Sequence, residues 1–214
     1  MAKWVAEIDD AARIPELVAR AFSTAVAGRP GPVVLALPED MLTDRVACAD
    51  ARRYRAVQPA PPPEALDELA ERLAKAERPL AIVGGGDWDA AAVDNFQRFA
   101  AAWDLPVGTS FRCQSHFDNT HAQFVGDVGI GLIPKLAERV KTCDLLLVAG
   151  ARLGEMTTSG FTLVDIPVPK QALVHVYPDP EELGRTYQPV LPIVSGMKTF
   201  AAAGVYGMSV LTSI

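Results

Sequence analysis

The sequence predicts an α/β protein in which helices cover both faces of a parallel β-sheet. Short and wholly apolar runs, such as Leu80–Val83 and residues 144–150, alternate along the chain with segments of helical periodicity. Strands buried on both faces have continuous apolar runs of this kind. Because strands and helices take turns along the chain, parallel pairing through helical crossovers is favoured.

Composition limits the classes of function. The chain has 214 residues, half of them hydrophobic, with a formal net charge of −6 and a pI near 5.1. Without a basic stripe, nucleic acid is an unfavourable partner. No apolar run approaches the roughly 20 residues that span a bilayer, and the N-terminus lacks a signal-peptide core. Three cysteines without a repeating spacing indicate free thiols in a reducing cytoplasm.

Residues 1–42 form a small first unit. Apolar residues at Ile14, Leu17, Val18 and Ala21 recur on one helical face, and residues 33–37 form an apolar strand. One helix and one strand cannot bury both of their faces. We therefore expect an orphan helix–strand unit that needs a sheet supplied by another part of the protein.

Residues 43–63 form a predicted interdomain linker. They contain three closely spaced arginines, followed by the proline-rich run at residues 59–63. Proline runs favour an extended polyproline conformation. A basic binding patch is the alternative interpretation, although linker charges usually serve solubility.

Residues 64–203 form the predicted main domain, and a tail at 204–214 is either a last helix followed by a frayed end or the point where a longer chain was cut. The glycine turn after the first strand of this domain is the stretch around which we expect ligands to bind. Predicted helices cover 64–76, 90–103 and the region around 133–140, and predicted strands cover 80–83, 105–109, 121–125, 144–150, 172–177 and 190–194.

Three consecutive glycines, Gly84, Gly85 and Gly86, follow that first strand. They do not complete the G-x-G-x-x-G fingerprint, because Asp89 stands where the third glycine belongs. Two interpretations remain open. The glycines form only a tight turn, or a nucleotide lies over the strand ends with its phosphates on backbone N–H groups.

Two further segments are candidates for anion binding. The glycine-rich loop at residues 126–131 leads into a helix with Pro134 in its first turn, and a helix N-terminus attracts anions. An equally good explanation is that these glycines only let two loops pass closely. Arg152 follows the most apolar strand, where a guanidinium can hold a phosphate or a carboxylate. An ion pair with Glu155 or Asp165 is an equally good explanation of Arg152.

Cys113, His116 and His121 superficially resemble a metal cluster. A structural zinc site needs four ligands, so these three residues give little support for zinc. We assign no catalytic residue and no metal ligand to this chain.

Several stretches resemble the thiamine-diphosphate-dependent enzymes of the acetolactate synthase type. The segment GRPGPV with the following P-x-D resembles the end of the family's first, pyrimidine-binding domain. The segments RPLAIVGGG, DLLLVAGARLGE and HVYPDPEELG resemble its central domain. The resemblance covers nearly the whole chain except the last dozen or so residues.

The resemblance implies a six-stranded, Rossmann-like central domain between two thiamine-binding domains. In acetolactate synthases that domain holds FAD, and in relatives it holds ADP or nothing. Two departures weaken the case for FAD here: Tyr177 replaces an aspartate, and the second glycine loop is shorter and lacks a histidine. The family's nucleotide site would fall on Gly84, Gly85, Gly86, Thr109, Ser110, Gly129, Gly131, Arg152 and Asp179.

The family's catalytic glutamate and its G-D-G…N diphosphate-and-magnesium motif have no counterpart in this sequence. We therefore expect thiamine diphosphate and Mg²⁺ to belong to a parent enzyme whose other domains are the partners of this chain. A free-standing protein that binds FAD, ADP or NAD is the alternative hypothesis. Association into a homo-oligomer through the exposed strand at 33–37 is a third interpretation.

Overall fold

A computed structural model describes the backbone of residues 1–211 and the side chains up to residue 205. The chain forms two compact units, one from Met1 to Gln58 and the other beginning at Pro59. No helix within the described part is long and apolar enough to cross a membrane.

The first unit contains a two-stranded parallel sheet. Strand β1, Trp4–Glu7, pairs with β2, Val33–Ala36, and helix α1, Ile14–Val26, connects them. The expectation of an orphan strand was therefore wrong, because β2 has a partner in this chain. The missed strand is only four residues long, and two of its four residues are Trp4 and the charged Glu7.

This small sheet buries one of its faces. Trp4 and Leu35 pack against a buried cluster that includes Ile8, Leu17 and Met41. On the opposite face Val5 is 63% exposed and Val34 is 49% exposed. The sheet thus leaves apolar side chains open to solvent, as expected for a unit with one covering layer.

The second unit is the predicted Rossmann-like domain, and its fold class is confirmed. All neighbouring strands of its six-stranded sheet pair in parallel, in the spatial order β5-β4-β3-β6-β7-β8. The elements are α2 (Pro63–Lys75), β3 (Leu80–Val83), α3 (Ala90–Ala102), β4 (Val107–Ser110), β5 (Phe124–Val128), α4 (Pro134–Thr142), β6 (Leu145–Ala149), β7 (Ala172–Tyr177), β8 (Leu191–Val194) and α5 (Met197–Leu211).

The sheet is buried on both faces, which explains its continuous apolar strands. In β3, Ala81 and Val83 belong to one core cluster, whereas Leu80 and Ile82 belong to the other. The first cluster contains residues of α2, α3 and α5, and the second contains residues of α4 and of the segment after β6. Each strand residue therefore needs an apolar side chain.

The predicted linker divides between the two units. Tyr54 stacks on Phe22 within the first unit, with ring centroids 5.3 Å apart. In the second unit, the carbonyl of Pro59 accepts hydrogen bonds from Thr199 Oγ1 at 2.6 Å and from the Gly196 N–H at 2.9 Å. The proline run is thus fastened to the start of α5.

Several predicted boundaries in the main domain were wrong. The strand expected at 105–109, for example, is Val107–Ser110. The third strand of the main domain was expected at 121–125, but His121–Gln123 form a turn closed by the Phe124 N–H and the His121 carbonyl at 2.9 Å. Gly126, expected in a loop, lies in β5 with a φ of 122° at an irregularity in the β4–β5 register. In the tail, α5 continues to Leu211, and residues 212–214 lie outside the described residues.

Phe96 supplies a test of the α3 layer. Its side chain is 0% exposed and contacts the rings of Trp88, Phe99 and Phe117. Phe96→Ala should lower the free energy of unfolding by about 3–5 kcal/mol, because transfer and cavity terms add. Urea unfolding measures this loss. Phe161→Ala, at a 43% exposed position, is the matched control and should change stability little; equal losses would contradict this packing.

Candidate functional site

The candidate site lies at the carboxyl edge of the six-stranded sheet, between β3 and β6. The chain proceeds from β3 outward to β4 and β5, and then returns to β6 on the other side of β3. Ligands of open α/β sheets bind where the strand order reverses in this way. The turn at residues 84–86 and the turn at residues 150–152 meet at this point.

At this switch point the two turns are in backbone contact. Gly85 and Gly150 both have positive φ values, 73° and 78°. A Cβ atom on Gly85 would overlap the Gly150 carbonyl, and one on Gly150 would overlap the Gly84 carbonyl. The glycines therefore allow two backbone segments to approach, and this approach occupies the space between β3 and β6.

Side chains from the same edge engage the carbonyls of the glycine turn. Trp88 Nε1 donates to the Gly84 carbonyl at 2.9 Å. His116 Nε2 lies 2.8 Å from the Gly85 carbonyl, and its ring lies 5.6 Å from that of Trp88. The turn is thus held by contacts within the domain.

An acidic side chain of the protein itself already caps the N-terminus of α3. The Asp89 carboxylate accepts from the Ala92 N–H at 2.9 Å, and this hydrogen bond lowers the pKa of Asp89. Asp87 lies two residues earlier, and Lys198 approaches both carboxylates, at 3.7 Å and 3.5 Å. In a dinucleotide-binding fold the pyrophosphate binds at this helix N-terminus. The carboxylate of Asp89 already caps this terminus and therefore disfavours pyrophosphate binding there.

The predicted site residues all follow, or end, strands at the same edge, but they do not converge on one point. Thr109 and Ser110 are buried, and the Ser110 side chain fills the space beside Gly84. Asp179 Oδ1 accepts from the Glu181 N–H at 3.1 Å and so stabilises its own turn. Gly86 is exposed, with no neighbour where its Cβ would be.

Arg152 is exposed and makes no ion pair with the residues whose side chains are described. Asp165, one of its two suggested partners, pairs with Lys170 at 3.1 Å. The guanidinium therefore remains available to an anion.

Two cavities open at this edge, and carboxylates line both of them. One, of about 410 Å³, contains Asp89, Asp94 and His116 in its wall. The other, of about 350 Å³, contains Gly129, Gly131 and Glu155. Carboxylates repel phosphate groups, and each volume is near the lower end of ordinary ligand pockets. The residues present do not fit a dinucleotide.

The segment Gly126–Asp127–Val128 also does not fit a diphosphate–metal site. It lies inside β5, where Asp127 is level with Thr109 of β4. Burial raises the pKa of the Asp127 carboxyl, which disfavours the charged form that a cation requires. Among the residues that the structure describes, no three His, Cys, Asp or Glu side chains come together as a metal-binding group.

His175 joins β7 to the turn after β6. Its Nε2 lies 2.9 Å from the Ala151 carbonyl, so that nitrogen carries the proton and donates. The side chain is 3% exposed, and burial lowers the pKa of His175. The folded protein therefore holds this histidine neutral beside the switch point.

The sequence prediction missed the residues that close the site. Trp88 and Gly150 were not assigned to it, and His116 was considered only as a metal ligand. Glycine spacing signals that something approaches the backbone, but it does not distinguish a ligand from a second strand end. A donor such as Trp88 two residues after the glycines was the available signal.

Comparison with known proteins places this architecture in a family. Residues 66–203 match the family model described as thiamine pyrophosphate enzyme, central domain. The chain is 33% identical over 188 residues to the acetolactate synthase large subunit of Parasynechococcus marenigrum, and 28% identical over 194 residues to that of Corynebacterium glutamicum. These matches cover 85% and 88% of this chain but only 30% of either relative.

A solved structure shares the fold. The X-ray structure of a putative thiamin diphosphate-dependent enzyme from Mycobacterium smegmatis matches with a TM-score of 0.76 and 24% identity. The match covers 96% of this chain and 39% of that one. These comparisons favour a central-domain piece of a larger enzyme over a free-standing dinucleotide-binding protein.

The contact between the two turns predicts different costs for two glycine substitutions. Gly85→Ala should lower the free energy of unfolding by about 3 kcal/mol or more, because left-handed strain and overlap with the Gly150 carbonyl add. Gly131→Ala is the matched control, since Gly131 has a φ of 81° but no atom within 4 Å of its Cβ position. It should cost about 1 kcal/mol. Equal costs in urea unfolding would show that the turns do not touch.

His175 predicts a pH dependence of stability. Because its folded pKa is below the ordinary value of 6.5, the unfolded chain binds the proton more readily. Its stabilising contribution is present above pH 6.5 and is lost as the pH falls below that value. His175→Gln should therefore lose less unfolding free energy between pH 7.5 and 5.0 than the parent chain, by urea unfolding. His121→Gln, in a loop, is the control, and an unchanged slope for His175→Gln would refute the assignment.

Proposed function

The chain belongs to the thiamine pyrophosphate enzyme family, whose central domain it carries, and we propose that it serves there as an interdomain scaffold. The observation that carries this proposal is the backbone contact between Gly85 and Gly150. It fills the position where such a sheet would bind a ligand. A sheet closed at this position contributes rigidity and a surface for neighbouring domains.

The parent reaction is proposed to be decarboxylation or carboligation of a 2-oxo acid, as in acetolactate synthases. The similarity to two acetolactate synthase large subunits, over 30% of their length, supports this. Thiamine diphosphate, bound with Mg²⁺ by the family's other domains, supplies the electron sink for this chemistry. The residues of this chain position those domains and hold no reacting group.

Partner domains are proposed to cover the exposed face of the first unit. Val5 and Val34 are side by side in register on β1 and β2, and both are largely exposed. Apolar pairs of this kind are usually covered in an assembly. We propose that the remainder of a pyrimidine-binding domain covers this face. A second copy of the chain is the competing occupant.

Three free cysteines are consistent with a cytoplasmic location.

Nucleotide binding in the central domain is the second candidate function. Arg152 favours it, because this residue is exposed at the ligand edge and makes no ion pair with the side chains that the structure describes. Against it stand the capping carboxylate of Asp89 and the acidic lining of both cavities. We therefore propose weak binding of FAD, ADP or NAD at most.

The scaffold proposal predicts no turnover by this chain alone. Purified protein with thiamine diphosphate, Mg²⁺ and pyruvate should produce no acetolactate above the blank, because no residue of the chain is assigned to hold the coenzyme. The Corynebacterium glutamicum large subunit, assayed in parallel, controls for the reagents. Turnover by this chain that scales with its concentration would overturn the proposal.

Calorimetry with ADP separates the two candidate functions. The parent chain should show no submicromolar binding, and Asp89→Asn should bind ADP more tightly than the parent, because it retains a cap but removes the negative charge. Arg152→Ala controls for non-specific binding. Submicromolar affinity of the parent chain that is lost in Arg152→Ala would favour the nucleotide-binding function over the scaffold.

A further inference from the structure

A third cavity opens at the opposite edge of the main sheet, beside α4. Two residues in its wall mark this edge: Pro106 directly precedes β4, and Arg78 lies two residues before β3. Because these strands are parallel, their amino ends lie away from the switch point. The cavity has a volume of about 560 Å³, within the ordinary range of ligand pockets.

Apolar side chains form one part of the cavity wall. Leu136 of α4 belongs to the buried cluster on this face of the sheet, and Val125 of β5 packs against that cluster. Ile133, just before α4, also lines the cavity and is 56% exposed. An aliphatic group that enters the cavity exchanges contact with water for contact with these side chains, which is favourable.

Cationic side chains form another part of the wall. Arg78, Lys135 and Arg139 line the cavity, and none of them forms an ion pair with a side chain that the structure describes. Arg98, by contrast, pairs with a carboxylate at 2.6 Å on its own helix. Glu138 also lines the cavity, so its wall carries three positive charges and one negative charge. In a chain with a formal net charge of −6, this excess of positive charge favours an anionic ligand.

Hydrogen bonds to neutral acceptors hold both guanidinium groups in place. Arg139 Nη2 donates to the Pro79 carbonyl at 3.0 Å, and Arg78 Nη2 donates to Thr142 Oγ1 at 3.1 Å. The Thr142 hydroxyl in turn donates to the Glu138 carbonyl at 2.8 Å. A guanidinium has five N–H donors, so each arginine retains donors for a carboxylate after making these bonds.

Stabilisation of α4 explains only part of this arrangement. Arg139 lies in the last turn of α4, where a cation complements the helix dipole. Lys135, however, is the second residue of α4, where the same dipole disfavours a cation. Asp144 is nearby in sequence, but its carboxylate accepts from the backbone N–H groups of Glu77 and Arg78, at 2.6 Å and 3.0 Å. An anionic ligand accounts for Lys135 as well as for the two arginines.

We propose that this cavity binds a small monocarboxylic acid with an unbranched aliphatic tail. The carboxylate accepts hydrogen bonds from Arg78 and Arg139, because an ionised acceptor binds a guanidinium more strongly than a neutral one does. The exposed Lys135 adds attraction at longer range. The tail lies against Val125 and Ile133. This site is independent of the scaffold function, because it lies at the opposite edge of the sheet from the glycine turns.

Calorimetry of the full chain with decanoate tests the chemistry of the ligand. Decanoate should bind once per chain. Hexanoate should bind at least about tenfold more weakly, because each buried methylene contributes up to about fourfold in affinity. Decanol has the same tail without the charge, and it should also bind at least about tenfold more weakly, because the charge-assisted hydrogen bonds are lost. Equal affinity for decanol and decanoate, or no saturable binding at about 1 mM decanoate, would overturn the proposal.

Charge variants of α4 test the position of the ligand. Lys135→Gln should weaken decanoate binding about threefold, and Glu138→Gln should strengthen it about threefold, because each changes the charge of the wall by one unit. A gain in affinity in Glu138→Gln is not an effect of unfolding. Lys141→Gln is the matched control, since Lys141 is an exposed lysine of the same helix outside the cavity wall, and it should leave the affinity unchanged. Equal affinities of the Lys135 and Lys141 variants would overturn the assignment.

NMR of the backbone amides locates the ligand independently of any variant. Saturating decanoate should shift the resonances of Val125, Ile133 and Lys135, which surround the cavity. The resonances of Val5 and Val34, on the exposed apolar face of the first unit, should stay unchanged. Shifts confined to Val5 and Val34 would show that the aliphatic tail binds that face instead, and would contradict the proposed site.

Discussion

The contact between the glycine turns after β3 and β6 is the constraint on which the rest of the main domain depends. These are the two central strands, and their ends approach so closely that neither Gly85 nor Gly150 has room for a Cβ atom. Trp88 hydrogen-bonds to the Gly84 carbonyl of the first turn, and His116 hydrogen-bonds to its Gly85 carbonyl. The edge at which such sheets usually bind ligands is therefore part of the protein's own packing.

This constraint determines which functions the domain can support. Its principal helix terminus at the switch point is capped by Asp89, and both cavities beside it are acidic. A phosphate would have to displace a carboxylate that is already hydrogen-bonded. The same closure brings the loop after β4 over the glycine turn, where His116 Nε2 lies 2.8 Å from the Gly85 carbonyl.

The sequence predicted much of the fold, because buried parallel strands leave a strong signal. The runs at Leu80–Val83 and Ala172–Tyr177 were predicted with their observed bounds. Trp4–Glu7 was missed because a short strand with one exposed face has no continuous apolar run. For the site, Gly84–Gly86 correctly indicated that another group approaches the backbone closely. The group is the turn at Gly150, which follows β6 and lies more than 60 residues along the chain. Local patterns carry no information about such a pairing.

Native-state hydrogen exchange tests the closed switch point most directly. The Gly84 N–H bonds to the Ala149 carbonyl at 3.0 Å, and the Gly150 N–H bonds to the Val176 carbonyl at 2.9 Å. If the two turns stay in contact until the whole sheet unfolds, the opening free energies for exchange of both amides should equal that of the Leu147 amide in the middle of β6. Exchange of Gly84 and Gly150 at a much lower free energy would show that this edge opens by itself, and would contradict the account.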